Sequence, residues 1–274
     1  MEPRYLNTGI GIVPPTLPVE DYHIDTPLEE YDLNFCWPVK PLEGPGVRLE
    51  PLIPSIHAQA LHVALLKDDP EKKWIYRYET PVLPETLSDL LTRAEQWRRR
   101  REQCVFAILD LSRPYVEDKP CGGRIAGIIG LRAESASDFA GEIGPVVVLP
   151  RAQRTHIMTN ALSLLLTYCF SIHSQDGLEL RRMGWIATAT NAPSVAVPRR
   201  FGFTCEGVRR WRRVMPNPDK FDTKEAVGEY GRREAGRGWD WSCWALTFED
   251  WRDGVKDLVH GFLARQVQRN AAWD

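Results

Sequence analysis

No apolar run in this 274-residue chain approaches the roughly 20 residues needed to cross a bilayer. The opening Met1-Glu-Pro-Arg-Tyr5 has neither the basic nor the apolar stretch of a secretory leader. These two absences predict a cytoplasmic protein with no membrane partner. A net excess of either charge is also lacking: 35 Lys and Arg stand against 37 Asp and Glu, and the net charge of −2 gives no general attraction to nucleic acid. There is no internal repeat and no C-x-x-C pair. The six cysteines (Cys36, Cys104, Cys121, Cys169, Cys205 and Cys243) are scattered, with no histidine at zinc spacing. No metal is therefore expected, and runs such as Cys104-Val-Phe-Ala-Ile108 use cysteine as a small hydrophobe.

What is present is ordinary globular composition, 43% hydrophobic and 26% charged, with ten tryptophans. Residues 1–45 carry Pro3, Pro14, Pro15, Pro18, Pro27, Pro38, Pro41 and Pro45 without a sustained period. They read as an extended arm. Its Tyr22, Tyr31, Phe35 and Trp37 predict that it packs along the body. From Val47 the pattern becomes regular. Strand-like runs fall at 47–52, 105–109, 125–131, 142–149, 181–190, 208–215 and 240–246. Helical spacing appears at 56–64, 86–98, 157–170, 193–200 and 251–262, with Thr86 and Asp89 placed as a capping box. This order implies one mixed α/β (α+β) domain over 46–270, a central sheet with helices on both faces. Residues 216–238 are polar and interrupt the last strand pair, as an insertion or a lid over the site.

The stretch from Pro145 to Ala161 contains no glycine, yet it joins a β-branched strand to an amphipathic helix. Such a junction aims backbone N–H groups and a helix dipole at one spot, which suits a phosphate. It is also what any plain strand–loop–helix connection looks like. Asn191-Ala-Pro-Ser194 reads in the same double way: a capped helix start with Pro193 in the first turn, or a ligand contact. The arginine clusters 98–101 and 209–213 read as solvated faces rather than a nucleic-acid surface.

Taken together, Gln153-Arg-Thr-His-Ile-Met-Thr159, Asn191-Ala-Pro-Ser194 and Phe201-Gly-Phe-Thr-Cys-Glu-Gly207 resemble the acyl-coenzyme A core of the GNAT acetyltransferase superfamily. Within it they resemble the ribosomal-protein-alanine acetyltransferase-like (RimJ/RimL-type) branch, in a fungal-looking variant. The resemblance implies the GNAT fold, a mostly antiparallel mixed sheet, with acetyl-CoA as cofactor. It places Val146, Val147, Val148, Arg151, Gln153, Arg154, Thr155, His156, Ile157, Asn191 and Ser194 against coenzyme A. The family loop is usually glycine-spaced, so here backbone approach is more demanding.

Ser194 is the implied general acid, since the tyrosine that many members use falls at Pro198. Glu142 in Glu-Ile-Gly144, or Asp240 in the degraded Arg237-Gly-Trp-Asp-Trp-Ser motif, is the implied base. Trp74, Tyr76 and Tyr78 resemble the branch's acceptor-side stretch. With Glu142, Pro145, Trp185 and Trp244 they are the expected acceptor contacts. No cysteine neighbours a histidine in sequence, which gives no support to an acyl-cysteine route. The expected activity is acetyl transfer to a primary amine of a small molecule. The alternatives are protein N-terminal acetylation and a non-catalytic acyl-CoA-binding scaffold. A homodimer is compatible with either.

Overall fold

The computed structural model describes residues 19–69, 78, 86–112, 121–215 and 237–265. Eight strands form one sheet: β1 (Leu42–Gly44), β2 (Val47–Pro51), β3 (Gln103–Asp110), β4 (Arg124–Ser135), β5 (Ala140–Val148), β6 (Arg182–Thr188), β7 (Thr204–Met215) and β8 (Arg237–Thr247). Their order is β1-β2-β3-β4-β5-β6-β8-β7. Only β5 and β6 pair in parallel. The other ladders are antiparallel.

Every residue of β3, Gln-Cys-Val-Phe-Ala-Ile-Leu-Asp, is buried. A strand without polar alternation needs cover on both faces. Helix α2 (Leu87–Arg98) supplies one cover and α3 (His156–Phe170) the other. Helix α2 opens on the Thr86–Asp89 capping box that its sequence announces. It packs beside α1 (Gln59–Asp68). On the other side α3 lies over β1, β2 and β3. It also meets α6 (Lys256–Leu263), which follows the short α5 (Phe248–Asp250). Helix α4 (Ala192–Arg200) rests on β6 and β7.

The described part of the arm packs on the body, as its aromatics require. Tyr22 is buried and its hydroxyl meets Ser88 and Thr92 of α2. Tyr168 of α3 donates to the Pro38 carbonyl at 2.7 Å. Leu42–Gly44, read from the sequence as arm, instead forms the edge strand β1. Three residues are too few to show a period. At the other end, Arg237 and Gly238, read as insertion, already pair with Met215 and Val214. Residues 216–236 lie outside the described residues. Pro198 sits inside α4 without ending it. It leaves the Ser194 carbonyl with no amide one turn on.

Candidate active site

The parallel ladder of β5 and β6 is short. It runs from Ala140↔Arg182 to Ile143↔Trp185 and stops, although both strands continue. The cause lies on the other side of β5. There Leu131 faces Ile143 and Ile129 faces Val146, so Gly144 and Pro145 together oppose Gly130 alone. An extra residue bends the strand that carries it, and Pro145 has no N–H for a ladder. A Cβ on Gly130 would lie 2.2 Å from the Gly144 carbonyl oxygen. Glycine is what lets the two backbones meet. Past the bulge, β5 follows β4 and leaves β6, opening a fork.

The free edge of that fork has a defined set of donors. Leu149 donates its N–H to the Ala126 carbonyl of β4 at 2.9 Å. Antiparallel ladders alternate, so Val147 also turns its main chain to β4, and Val146 and Val148 turn theirs to the fork. The Val148 carbonyl accepts from the Gln153 side chain at 3.0 Å, as that phase requires. At the fork's mouth α3 begins. Thr155 is its N-cap, accepting from Ile157 N–H at 3.3 Å and donating to Ala152. The remaining N–H groups of the first turn have no carbonyl one turn back. Opposite, Asn191 caps α4 by accepting from Ser194 N–H at 3.3 Å. That uses its carbonyl oxygen and leaves the amide NH₂ to the ligand side.

Strand alternation sorts the remaining side chains by face. Ile143, Met183, Trp185 and Trp244 share one face, and α4 lies on it, with the Arg199 guanidinium 5.6 Å from the Trp244 ring centroid. Glu142, Gly184, Cys243 and Trp241 share the other. Glu142 is buried there, bonded to Arg132 at 2.5 Å. Burial raises its pKa against the pull of Arg132. A carboxylate poised toward neutrality is suited to collecting a proton.

The sequence matches the family description "Acetyltransferase (GNAT) domain" over residues 47–204. The chain belongs to the GNAT acetyltransferase family. No curated protein matches it in sequence. Among solved structures it is similar to a GCN5-related N-acetyltransferase from Brucella melitensis, with 24% identity, a TM-score of 0.64, and 82% of this chain and 86% of that one covered. It is also similar to Mycobacterium smegmatis RimJ in complex with CoA-disulfide, with 20% identity, a TM-score of 0.57, and 82% and 95% covered. A third is RimL, a ribosomal L7/L12 alpha-N-protein acetyltransferase, with 21% identity, a TM-score of 0.54, and 76% and 94% covered. At these identities the likeness carries the fold alone.

GNAT enzymes draw their acetyl group from acetyl-CoA, and the residues at this fork suit such a ligand. The indole N–H groups of Trp185 and Trp244 are buried with no partner among the described residues. Orphaned donors of this kind call for an acceptor, and a pantetheine chain is rich in carbonyls. Within this GNAT site, several residues stand differently from the sequence reading. Arg151 and His156 each face a carboxylate of the protein itself. Arg151 Nε lies 3.1 Å from Asp68 at the end of α1, and His156 Nε2 lies 3.6 Å from Asp110 at the end of β3. Arg154 stays exposed, in a left-handed conformation with φ 60°.

Trp185 and Trp244 are core residues on the α4 side, so they do not share a face with Glu142. Asp240 shares the face of Ser242 and Trp244, and its carboxylate accepts from Trp211 N–H at 2.8 Å. Pro145 forms the bulge. Of the acceptor-side aromatics, Tyr78 stands 5.9 Å from Trp239 between ring centroids. Trp74 and Tyr76 lie outside the described residues. Arg132 was missed by sequence reasoning. An unshifted hairpin turning at 136–139 would pair Arg132 with Ile143; the register shift between Ala133 and Ser135 sets it opposite Glu142 instead.

Proposed function

We propose that this acetyltransferase moves acetyl from acetyl-CoA to a primary amine by direct attack in a ternary complex. The observation that carries the reading is the fork after Ile143 and Trp185, which turns the Val146 and Val148 N–H groups away from the ladder, beside two helix N-termini. Acetyl-CoA, when bound, supplies an activated thioester. The residues around it divide the remaining work. The N–H of Val146 or Val148 donates to the thioester oxygen and favours charge building there. Glu142 takes the proton that the incoming ammonium must shed. As the new C–N bond forms and the C–S bond breaks, Ser194 Oγ–H gives a proton to the departing sulfur, and the second proton that the nitrogen sheds restores the hydroxyl. Glu142 and Ser194 belong to opposite sides of the sheet, and the fork joins those sides.

The acceptor in this reading is a small-molecule amine. A second reading, protein N-terminal acetylation, is favoured by the neighbouring structures whose names state that activity. The deciding experiment measures acetyl-CoA-dependent thiol release with a panel of free amines and a panel of short peptides. Release with free amines supports the first reading, and release confined to peptides supports the second. Tight acetyl-CoA binding without release from either would leave a non-catalytic carrier.

A further inference from the structure

The Glu142 face continues toward the free edge of the sheet, where β7 gains residues on its partner. Arg209 stands opposite Trp241 and Arg213 opposite Trp239. Between these pairs β7 advances four residues and β8 two. In an unbroken strand residue 212 would point away from the side that Arg209 occupies. The bulge re-aims it. The Arg212 guanidinium lies over the Trp241 ring, 5.0 Å from its centroid, on the side of Glu142.

This bulge is held in place rather than frayed. Trp211 is left-handed, with φ 51°, a conformation that a bulky residue keeps only when its surroundings enforce it. Two contacts do so. Asp240 accepts the Trp211 N–H at 2.8 Å. The Trp211 indole covers Gly238 so closely that a Cβ there would lie 2.3 Å from the ring. Asp240 is thereby a positioning residue, a latch under the bulge.

The result is a surplus of guanidinium on the side where the amine must arrive. Arg209 shares the face of Trp241, and its charge reaches Glu142. The carboxylates of this face are already engaged. Glu142 is bonded to Arg132, and Glu206 takes two bonds from Arg182, at 2.7 and 2.6 Å. Among the described residues Arg209 and Arg212 form no ion pair. Guanidinium forks backed by an aromatic wall match a carboxylate in geometry as well as charge.

We propose that Arg209 and Arg212 form a subsite for an anionic group on the acceptor, so that the amine this enzyme acetylates also carries a carboxylate. The inference rests on Glu142 marking the acceptor side. The carboxylate can belong to a free amino acid-like molecule or to an acidic polypeptide N-terminus, and the test separates these sources. The full chain loaded with CoA is titrated calorimetrically with β-alanine and β-alaninamide, with glycine and glycinamide, and with a C-terminally amidated peptide beginning Asp-Glu and its Asn-Gln counterpart. Acetylation rates are measured on the same pairs with acetyl-CoA.

The expected result is at least tenfold tighter binding and higher kcat/KM for the acid member of one class of pairs. That preference falls at least fivefold in Arg209→Gln and in Arg212→Gln, with acetyl-CoA affinity unchanged. Asp240→Ala loses the preference, and Asp240→Asn, which keeps the acceptor oxygen for Trp211 N–H, retains it. Equal binding of acids and amides, or a preference that survives the double arginine variant, overturns the proposal. Absence of turnover with every amine would instead count against the enzymatic reading, since the binding arm reports separately.

Discussion

The roles proposed for Glu142 and Ser194 differ because their positions do. Glu142 is surrounded by strand and loses water, which raises its pKa from the usual 4.5 despite Arg132. If it accepts the amine proton, kcat/KM for the acceptor rises with pH through that elevated value. In Glu142→Gln that limb disappears, and kcat falls by about 10²–10⁴-fold; a pH–rate profile of both proteins checks this. In the proposed mechanism Ser194, half-buried in the first turn of α4, acts late. Ser194→Ala is expected to lower kcat by about 10²-fold or more with acetyl-CoA affinity intact. Steady-state kinetics beside a direct binding measurement would refute that if both moved together. Asn191 has a capping oxygen and a free amide. Asn191→Ala loses the cap, costing about 1 kcal/mol, and weakens acetyl-CoA binding. Asn191→Asp keeps the cap and so the melting temperature, but still weakens binding. Equal affinity in Asn191→Asp and the parent would assign the residue to capping alone.

At the scale of elements, two bulges shape the site. The one at Gly144–Pro145 turns β5 away from β6 and creates the fork. The one around Trp211 re-aims an arginine. Gly130→Ala places a methyl against the Gly144 backbone, a clash with main chain that no rotamer relieves. Its expected cost is about 1–3 kcal/mol, with weaker acetyl-CoA binding because the strand that frames the fork must shift. A thermal melt and a binding isotherm check both, and an unchanged pair would remove the bulge from the account. The glycine-free loop before α3 is braced instead of permissive. Asp68 holds Arg151 and Asp110 holds His156 at its two ends.

Over the whole molecule, buried and half-buried carboxylates set the response to acid. His57 holds Glu50 below its ordinary range. Burial pushes Glu95 up, but Arg98 and Arg99 more than offset it. Burial likewise pushes Asp110 up, and His156 with the two Ser112 hydrogen bonds brings it lower. A carboxylate depressed by folding contributes stability above its unfolded value, 4.5 for Glu and 3.8 for Asp, and loses it as pH falls through the folded one. Glu142 has the opposite sign: its contribution is present below 4.5 and lost as pH rises through its raised value. With three groups against one, the urea midpoint is expected to fall as pH drops from about 5 to 3. A flat midpoint would deny these pairs their role.

Much of this was legible in the chain. The Thr86–Asp89 box, the strand before residue 149, the helix after Thr155 and the cap at Asn191 are local patterns, fixed by period and by which side chain can reach its own backbone. The match to the GNAT core follows from those same segments. The sequence could not distinguish Glu142 from Asp240, because both are acids at strand ends. Sheet order and register give them different surroundings, setting one beside Arg132 and the other under Trp211. Nor could it foresee that Arg151 and His156 face Asp68 and Asp110, whose partners come from distant elements. Local propensity is written in neighbouring residues. Faces, registers and ion pairs depend on which strands become adjacent, and only the folded chain decides that.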